Sequence, residues 1–445
     1  MWLSTFHIEE AMNDISRYLD NKGVDYYILN GFKVIRHQVR FSNSKLDIVR
    51  FHDSSKIDIV IGMKGRRIVS SIYQLDPLKY KGEIDRLLST IDHMPKTPLY
   101  SNLPSEKYNY TAIPGIYKEF NIDEITSSIS EVIDMGKRNR VDDVNGAILY
   151  TLLKHVLKAS NGCEGEFRRS NLNVNIRFFK GRGSTVVNAE STIFNSEQLI
   201  KDSSEAITLL KKGKRIRTVK PGKYRIILSP VVVGNLLNYF SRCLSAYSII
   251  TNTSPLVGKI GEEIISENLS ISDYPLESGN PGARPFDLEG SPTKNIDLIN
   301  RGVLESYLHN LSTAKYFGVK TTGHAGIVFP QPHSIMLRYG DTCSLDELLV
   351  DVKDGLYIIN AWYTRFQNYA TGDFSTIQRD TGFIVKNGEL SEAVTGARIN
   401  GNIITIFKNI INVANDDRWV KWWDYPIPSR VPHIAFEGIQ ITTGF

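Results

Sequence analysis

Gly279–Gly326 reads GNPGARPFDLEGSPTKNIDLINRGVLESYLHNLSTAKYFGVKTTGHAG. Its centre is Pro285-Phe286-Asp287-x-Glu289-Gly290-x-Pro292-Thr293. Asn300-x-Gly302-Val303-Leu304, Tyr307-Leu308 and Thr322-Gly323-His324-Ala325-Gly326 follow at set distances. Glycine and proline punctuate the core so densely that Asp287 and Glu289 fall in turns. Paired acids can do acid–base chemistry, but a turn-capping aspartate and a solvated glutamate are the simpler expectation here. The same holds for Asp373 in Thr371-Gly372-Asp373-Phe374-Ser375.

Outward from this stretch, residues 221–445 read as mostly strands with a few helices. A strand Tyr224–Leu228 leads into a helix with Ser229 as N-cap and Pro230 at its first position. Ser344 and Glu347 have capping-box spacing, Asn387-Gly388 is a hairpin turn, and a further helix is expected near Ile403–Val413. Such a pattern implies a curled or barrel-like, mostly antiparallel sheet.

The first half reads as α+β. Ile8, Ala11, Met12, Ile15 and Leu19 mark one face of a helix over 7–20. Strand-like runs follow at Asp25–Leu29, Phe32–Phe41, Leu46–Phe51, Ile57–Gly62 and Ile68–Leu75, then a helix with Asp76 as cap and Pro77 first. Pro95, Pro98, Pro104 and Pro114 make 95–114 a linker or extended arm. A second block over 115–220 has a helix marked by Ile125, Ile129, Val132 and Ile133, a turn at Asn161-Gly162, and a helix opened by Asn195 and Gln198. The expected division is 1–94, a linker 95–114, 115–220 and 221–445.

The 445 residues carry a formal net charge of +5 and 23% charged residues, which demands no acidic partner. Acidic residues stand just upstream of the run Lys211-Lys212-Gly213-Lys214-Arg215-x-Arg217 and no aromatics interleave it, so a solvated helix end is expected rather than nucleic acid. Cys163, Cys243 and Cys343 form no CxxC pair, which fits a reducing compartment. MWLSTFHIEEAMNDI lacks the regions of a secretory signal, and no window approaches ~18 uninterrupted apolar residues. The expectation is a cytoplasmic protein without membrane or nucleic-acid partners.

The motif series resembles the TldD/PmbA family, also called TldD/TldE, whose catalytic members are zinc peptidases. Ser160-Asn161-Gly162, Lys220-Pro221-Gly222, Gly372-Asp373, Asn387-Gly388-Glu389 and Val413-Ala414-Asn415-Asp416 extend the likeness. Catalytic relatives are expected to supply two His and a Glu from HExxxH on a helix, with a Cys near the C-terminus. Aligned on Gly234-Asn235-Leu236-Leu237, the motif puts Asn238 and Tyr239 at the first His and the Glu, and Cys243 at the second His. Near the C-terminus, Asp417-Arg418-Trp419-Val420-Lys421-Trp422-Trp423 contains no Cys.

The resemblance therefore implies a PmbA (TldE)-like chain with no catalytic residue and no metal of its own. Zinc is expected in a TldD-type partner, with which this chain would enclose an extended peptide. Two alternatives stand beside it: a stand-alone peptide-binding homodimer, and a self-sufficient hydrolase using Cys243, His324 or the Asp373 loop. Arg365 is read as a possible carboxylate clamp, and Trp419, Trp422 and Trp423 as a core stripe or a subunit interface.

Overall fold

The computed structural model of the chain describes residues 6–213 and 215–443. Lys214 of the basic run and the first five residues lie outside the described residues, as does the side chain of His7. The first helix runs Phe6–Asp20 and buries Ile8, Ala11, Met12, Ile15 and Leu19.

The five short strand runs expected next are three strands, Tyr26–Ser42, Lys45–Met63 and Arg66–Ile72. Asn30-Gly31 does not break the first, because Gly31 lets a helix approach: a Cβ there would meet Met12 Sδ at 2.5 Å. Asp53-Ser54-Ser55 does not break the second, because these residues sit in register opposite Ile35, Val34 and Lys33.

Strand Tyr26–Ser42 also pairs antiparallel with Asp143–Ala159, from Ile28 opposite Ala159 to Phe41 opposite Gly146. Both N-terminal blocks therefore feed one six-stranded sheet, completed by Glu164–Lys180 and Gly183–Ser191. Alternate side chains of Tyr26–Ser42 divide the packing. Tyr27 and Leu29 meet helices Phe6–Asp20 and Pro77–His93, while Ile35, Val39 and Phe41 meet Ile122–Arg138 and Ser196–Lys212. Tyr26 and Ile28 point the other way, toward Phe286. Residues 95–114 have no regular structure but are not a loose linker. Tyr100, Leu103, Tyr108, Tyr110 and Ile113 pack around Phe286, and Tyr110 donates to Gly290 O at 2.6 Å.

The C-terminal half is a ten-stranded sheet and a six-stranded sheet, mostly antiparallel and curled into a half-barrel. Helix Pro230–Cys243 lies in the largest core, with every residue buried except Arg242. Its valines, leucines and Phe240 fill that core, and its buried Asn238 and Ser241 can stay inside because both are hydrogen-bonded. The helix expected over Ile403–Val413 ends at Lys408, and Ile410–Val413 pairs instead with strand Ile434–Thr443. Asn409 breaks the helix and the β-branched Ile410-Ile411 suits the ladder. The block RWVKWWDYP is not helical either. Arg418–Val420 is a strand, Trp422 is 3% exposed, and Trp423 is 57% exposed, so the tryptophans share no stripe. Among the described residues no helix is long and apolar enough to cross a membrane.

Candidate functional site

Helix Pro230–Cys243 starts directly after strand Gly222–Leu228. Pro230 presets its first turn, while the Ser229 hydroxyl turns away to donate to Ile359 O. Its last two turns, with the segments 329–332 and 424–427, enclose a cavity of about 390 Å³. Asn238, Tyr239 and Cys243 all line it.

Each of the three is already committed. Asn238 Nδ2 donates to Gly234 O (3.1 Å), Ile427 O (3.0 Å) and Ser429 Oγ (2.7 Å), and its Oδ1 accepts from Ile427 N at 3.2 Å. The Tyr239 phenol accepts from Arg365 Nη1 at 2.9 Å, and the same nitrogen reaches Asp424 Oδ1 at 3.1 Å. Arg365 thus clamps a carboxylate of its own chain. Burial pushes the Tyr239 phenol up, opposed by Arg365. The Cys243 thiol leans on Tyr239 O at 3.8 Å, and burial pushes it up to about 12, so it stays protonated at neutral pH.

Zinc requires three converging ligands with available lone pairs. An amide whose oxygen accepts a backbone N–H, a phenol held by arginine and a protonated thiol do not fit that requirement. Among the described residues no group of three His, Cys, Asp or Glu side chains is placed to hold a metal ion.

The motif residues are not in the cavity lining. Phe286 sits against His155 (5.1 Å) and Phe167 (5.3 Å) of the N-terminal sheet, with Pro285 beside it in the same turn. Asp287 is buried and caps its turn, Oδ1 accepting from Glu289 N and Ser291 N and Oδ2 from Ala325 N, each at 2.9 Å. Burial and Glu289 push its carboxyl up to about 7, against the pull of those three N–H groups. Glu289 is not solvated as expected. It is 7% exposed, pairs with Arg67 at 3.2 Å and accepts from Leu311 N at 2.8 Å. Gly290 and Gly323 take φ of +79° and +73°, open to glycine without strain.

His324 is fully buried, with Nδ1 on Thr322 O at 2.9 Å and its ring stacked on His333 at 4.8 Å. Asp273 Oδ2 lies 3.3 Å from its Nε2. Gly372 and Asp373 form a separate surface turn, where Asp373 accepts from Thr371 Oγ1 (2.6 Å) and Asn402 Nδ2 (3.0 Å). The Asp287 and His324 network nevertheless bears on the cavity. It anchors Ala325 and Gln331 N, and so holds the Phe329–Pro332 wall in place.

A second constellation escaped sequence reading. Tyr357 OH lies 3.0 Å from His433 Nε2, and His433 Nδ1 lies 2.6 Å from Asp416 Oδ2. All three line another cavity, of about 570 Å³, between helix Ser196–Lys212 and the C-terminal sheets. Nothing in their spacing signals this, since each comes from a different segment.

Comparison with known proteins places the chain. The family model described as PmbA/TldA metallopeptidase C-terminal domain matches residues 221–443, half of the sequence. A metalloprotease of Methanocaldococcus jannaschii is 26% identical over 75% of this chain and 78% of its own length. A metalloprotease PmbA homolog of Haemophilus influenzae is 30% identical over 43% of this chain. The chain spans only 41% of that relative's length. TldE from Thermococcus kodakarensis shares the fold, with a TM-score of 0.83 over 97% of this chain and 100% of that one at 19% identity. The chain belongs to the PmbA/TldD family and is metallopeptidase-like.

Proposed function

We propose that this chain is the non-catalytic subunit of a two-chain cytoplasmic zinc metalloprotease. A TldD-like partner would hold the zinc and cleave extended peptides, while this chain completes the chamber around them. The observation that carries the reading is the state of helix Pro230–Cys243. It keeps its place beside a cavity, but Asn238, Tyr239 and Cys243 are spent on internal hydrogen bonds. An extended peptide is best held by strand addition, and the terminal strand of the ten-stranded sheet, Ala361–Asn368, carries Phe366 into that cavity.

The test is reconstitution. The chain, a TldD-type protein carrying HExxxH, and their mixture are compared for bound zinc by mass spectrometry and for cleavage of an unstructured peptide. Zinc and cleavage in the mixture with copurification, and neither in this chain alone, is the expected result. Stoichiometric zinc and chelator-sensitive cleavage by this chain alone would refute it.

A stand-alone peptide-binding homodimer is the second reading. A self-sufficient hydrolase gains little from Tyr357, His433 and Asp416. Burial pushes the Tyr357 phenol well up, which opposes its ionisation to a nucleophile.

A further inference from the structure

The cavity beside Asn238 has a distinct chemistry. One wall is a run of aromatic rings, with Tyr239 and Phe366 at 5.3 Å and Phe366 and Tyr369 at 5.3 Å. The facing wall stacks Tyr247 on Phe329 at 6.1 Å. Tyr369 and Phe329 are 49% and 43% exposed, so these walls are open to a guest rather than filled by the chain itself.

Arg242 and Asp424 line the cavity, and Arg365 stands outside the lining against the aspartate. Arg365 is neutralised by Asp424. The side chain of Arg242, the exposed residue of the enclosed helix, has no ion pair or hydrogen bond among the described residues, and its guanidinium lies 5.7 Å over the Tyr239 ring. The floor contributes no charge: Asn238 is an amide, and the hydroxyls of Ser241 and Ser245 are given to Asn238 O and Pro330 O. The complementary guest is apolar and carries one negative charge beside the apolar group. An aspartate or glutamate in mid-chain brings the charge without the apolar group. An apolar residue at a peptide's carboxyl end brings both within one residue.

We propose that the cavity binds the carboxy-terminal residue of a peptide, its apolar side chain between the aromatic walls and its terminal carboxylate on Arg242. This rests on the peptide-binding reading above and gives it a polarity: the peptide enters this subunit by its carboxyl end.

The test is calorimetric titration of the full chain with N-acetyl-Ala-Ala-Phe as free acid and as carboxamide. The acid is expected to bind about tenfold more tightly than the amide, the worth of one charge-assisted contact. Arg242→Gln, at an exposed position, should abolish that preference, so that acid and amide bind equally. Thr253→Trp, which fills the cavity from an exposed position on its lining, should weaken both ligands. Equal binding of acid and amide, no binding of either, or a preference that survives Arg242→Gln would overturn the proposal. Copurification and zinc-dependent cleavage with a TldD-type partner but no acid preference would remove the carboxylate site alone. Acid preference without copurification would keep the site and remove the two-chain protease.

Discussion

Replacing Asn238 with alanine separates an internal clamp from an unused ligand position. The amide makes four hydrogen bonds, three donated by Nδ2 and one accepted by Oδ1. The bonds to Ile427 and Ser429 fasten the helix to a cavity-lining segment. Water from the cavity can reach part of what alanine leaves unpaired, so each bond is worth its ordinary net of about 1 kcal/mol rather than a full desolvation penalty. The sum is about 3–4 kcal/mol, which for a unit of this size lowers the melting temperature by roughly 6–16 °C. Differential scanning calorimetry reads this directly. Asn238→Asp keeps the shape but turns a carboxylate toward three oxygens, so it should fall at least as far at neutral pH. Asn238→His, the residue of the family motif, should also destabilise the chain and bind no zinc. An alanine variant within about 1 kcal/mol of wild type would refute the clamp. Stoichiometric zinc in Asn238→His would show that the position still belongs to a metal site.

Three further outcomes are expected. Gly323→Ala forces a side chain onto a φ of +73° and puts its Cβ 2.3 Å from Pro292 O, so it should lose about 2–4 kcal/mol in urea denaturation; a neutral result would contradict the close approach. Phe286→Ala empties the contact with Tyr110, His155 and Phe167, with a loss of about 3–5 kcal/mol and faster proteolysis within 95–114; an unchanged digestion pattern would argue against the packed arm. Burial works against the Asp416 carboxylate, yet hydrogen bonds with His433 outweigh it and hold the group at about 2, below the ordinary 3.8. Stability from this pair is therefore present above pH 3.8 and lost as pH falls through 2. Asp416→Asn should trail wild type by about 2 kcal/mol at neutral pH and by progressively less in acid, whereas a constant gap would sink the assignment.

Local chemistry was the legible part of the fold. Asp76 and Pro77 open helix Pro77–His93, Asn195 accepts from Gln198 N, and Ser344 with Glu347 closes a capping box, all as their spacing predicts. Each cap depends only on residues a few positions apart. Strand lengths were not legible, because Asn30-Gly31 and Asp53-Ser54-Ser55 look like breaks until the partner strands that pair them are known. The tryptophans of 418–426 have helical spacing but sit in a strand and an irregular turn. Long-range packing, not periodicity, chose which of them is buried.

The site divides in the same way. The positions Asn238, Tyr239 and Cys243, which the family resemblance sets against HExxxH, lie in a single stretch, and the turn-capping role of Asp287 was equally legible. The family and the mixed α+β class were legible in the sequence alone, as was the fact that no HExxxH stretch occurs in it, because these rest on residue identity at short spacing. Tertiary structure decided that Glu289 is buried on Arg67, that Arg365 is spent on Asp424 while Arg242 is not, and that aromatics from four segments line one cavity. Charge pairing and burial depend on which distant surfaces meet, and no local pattern encodes that meeting.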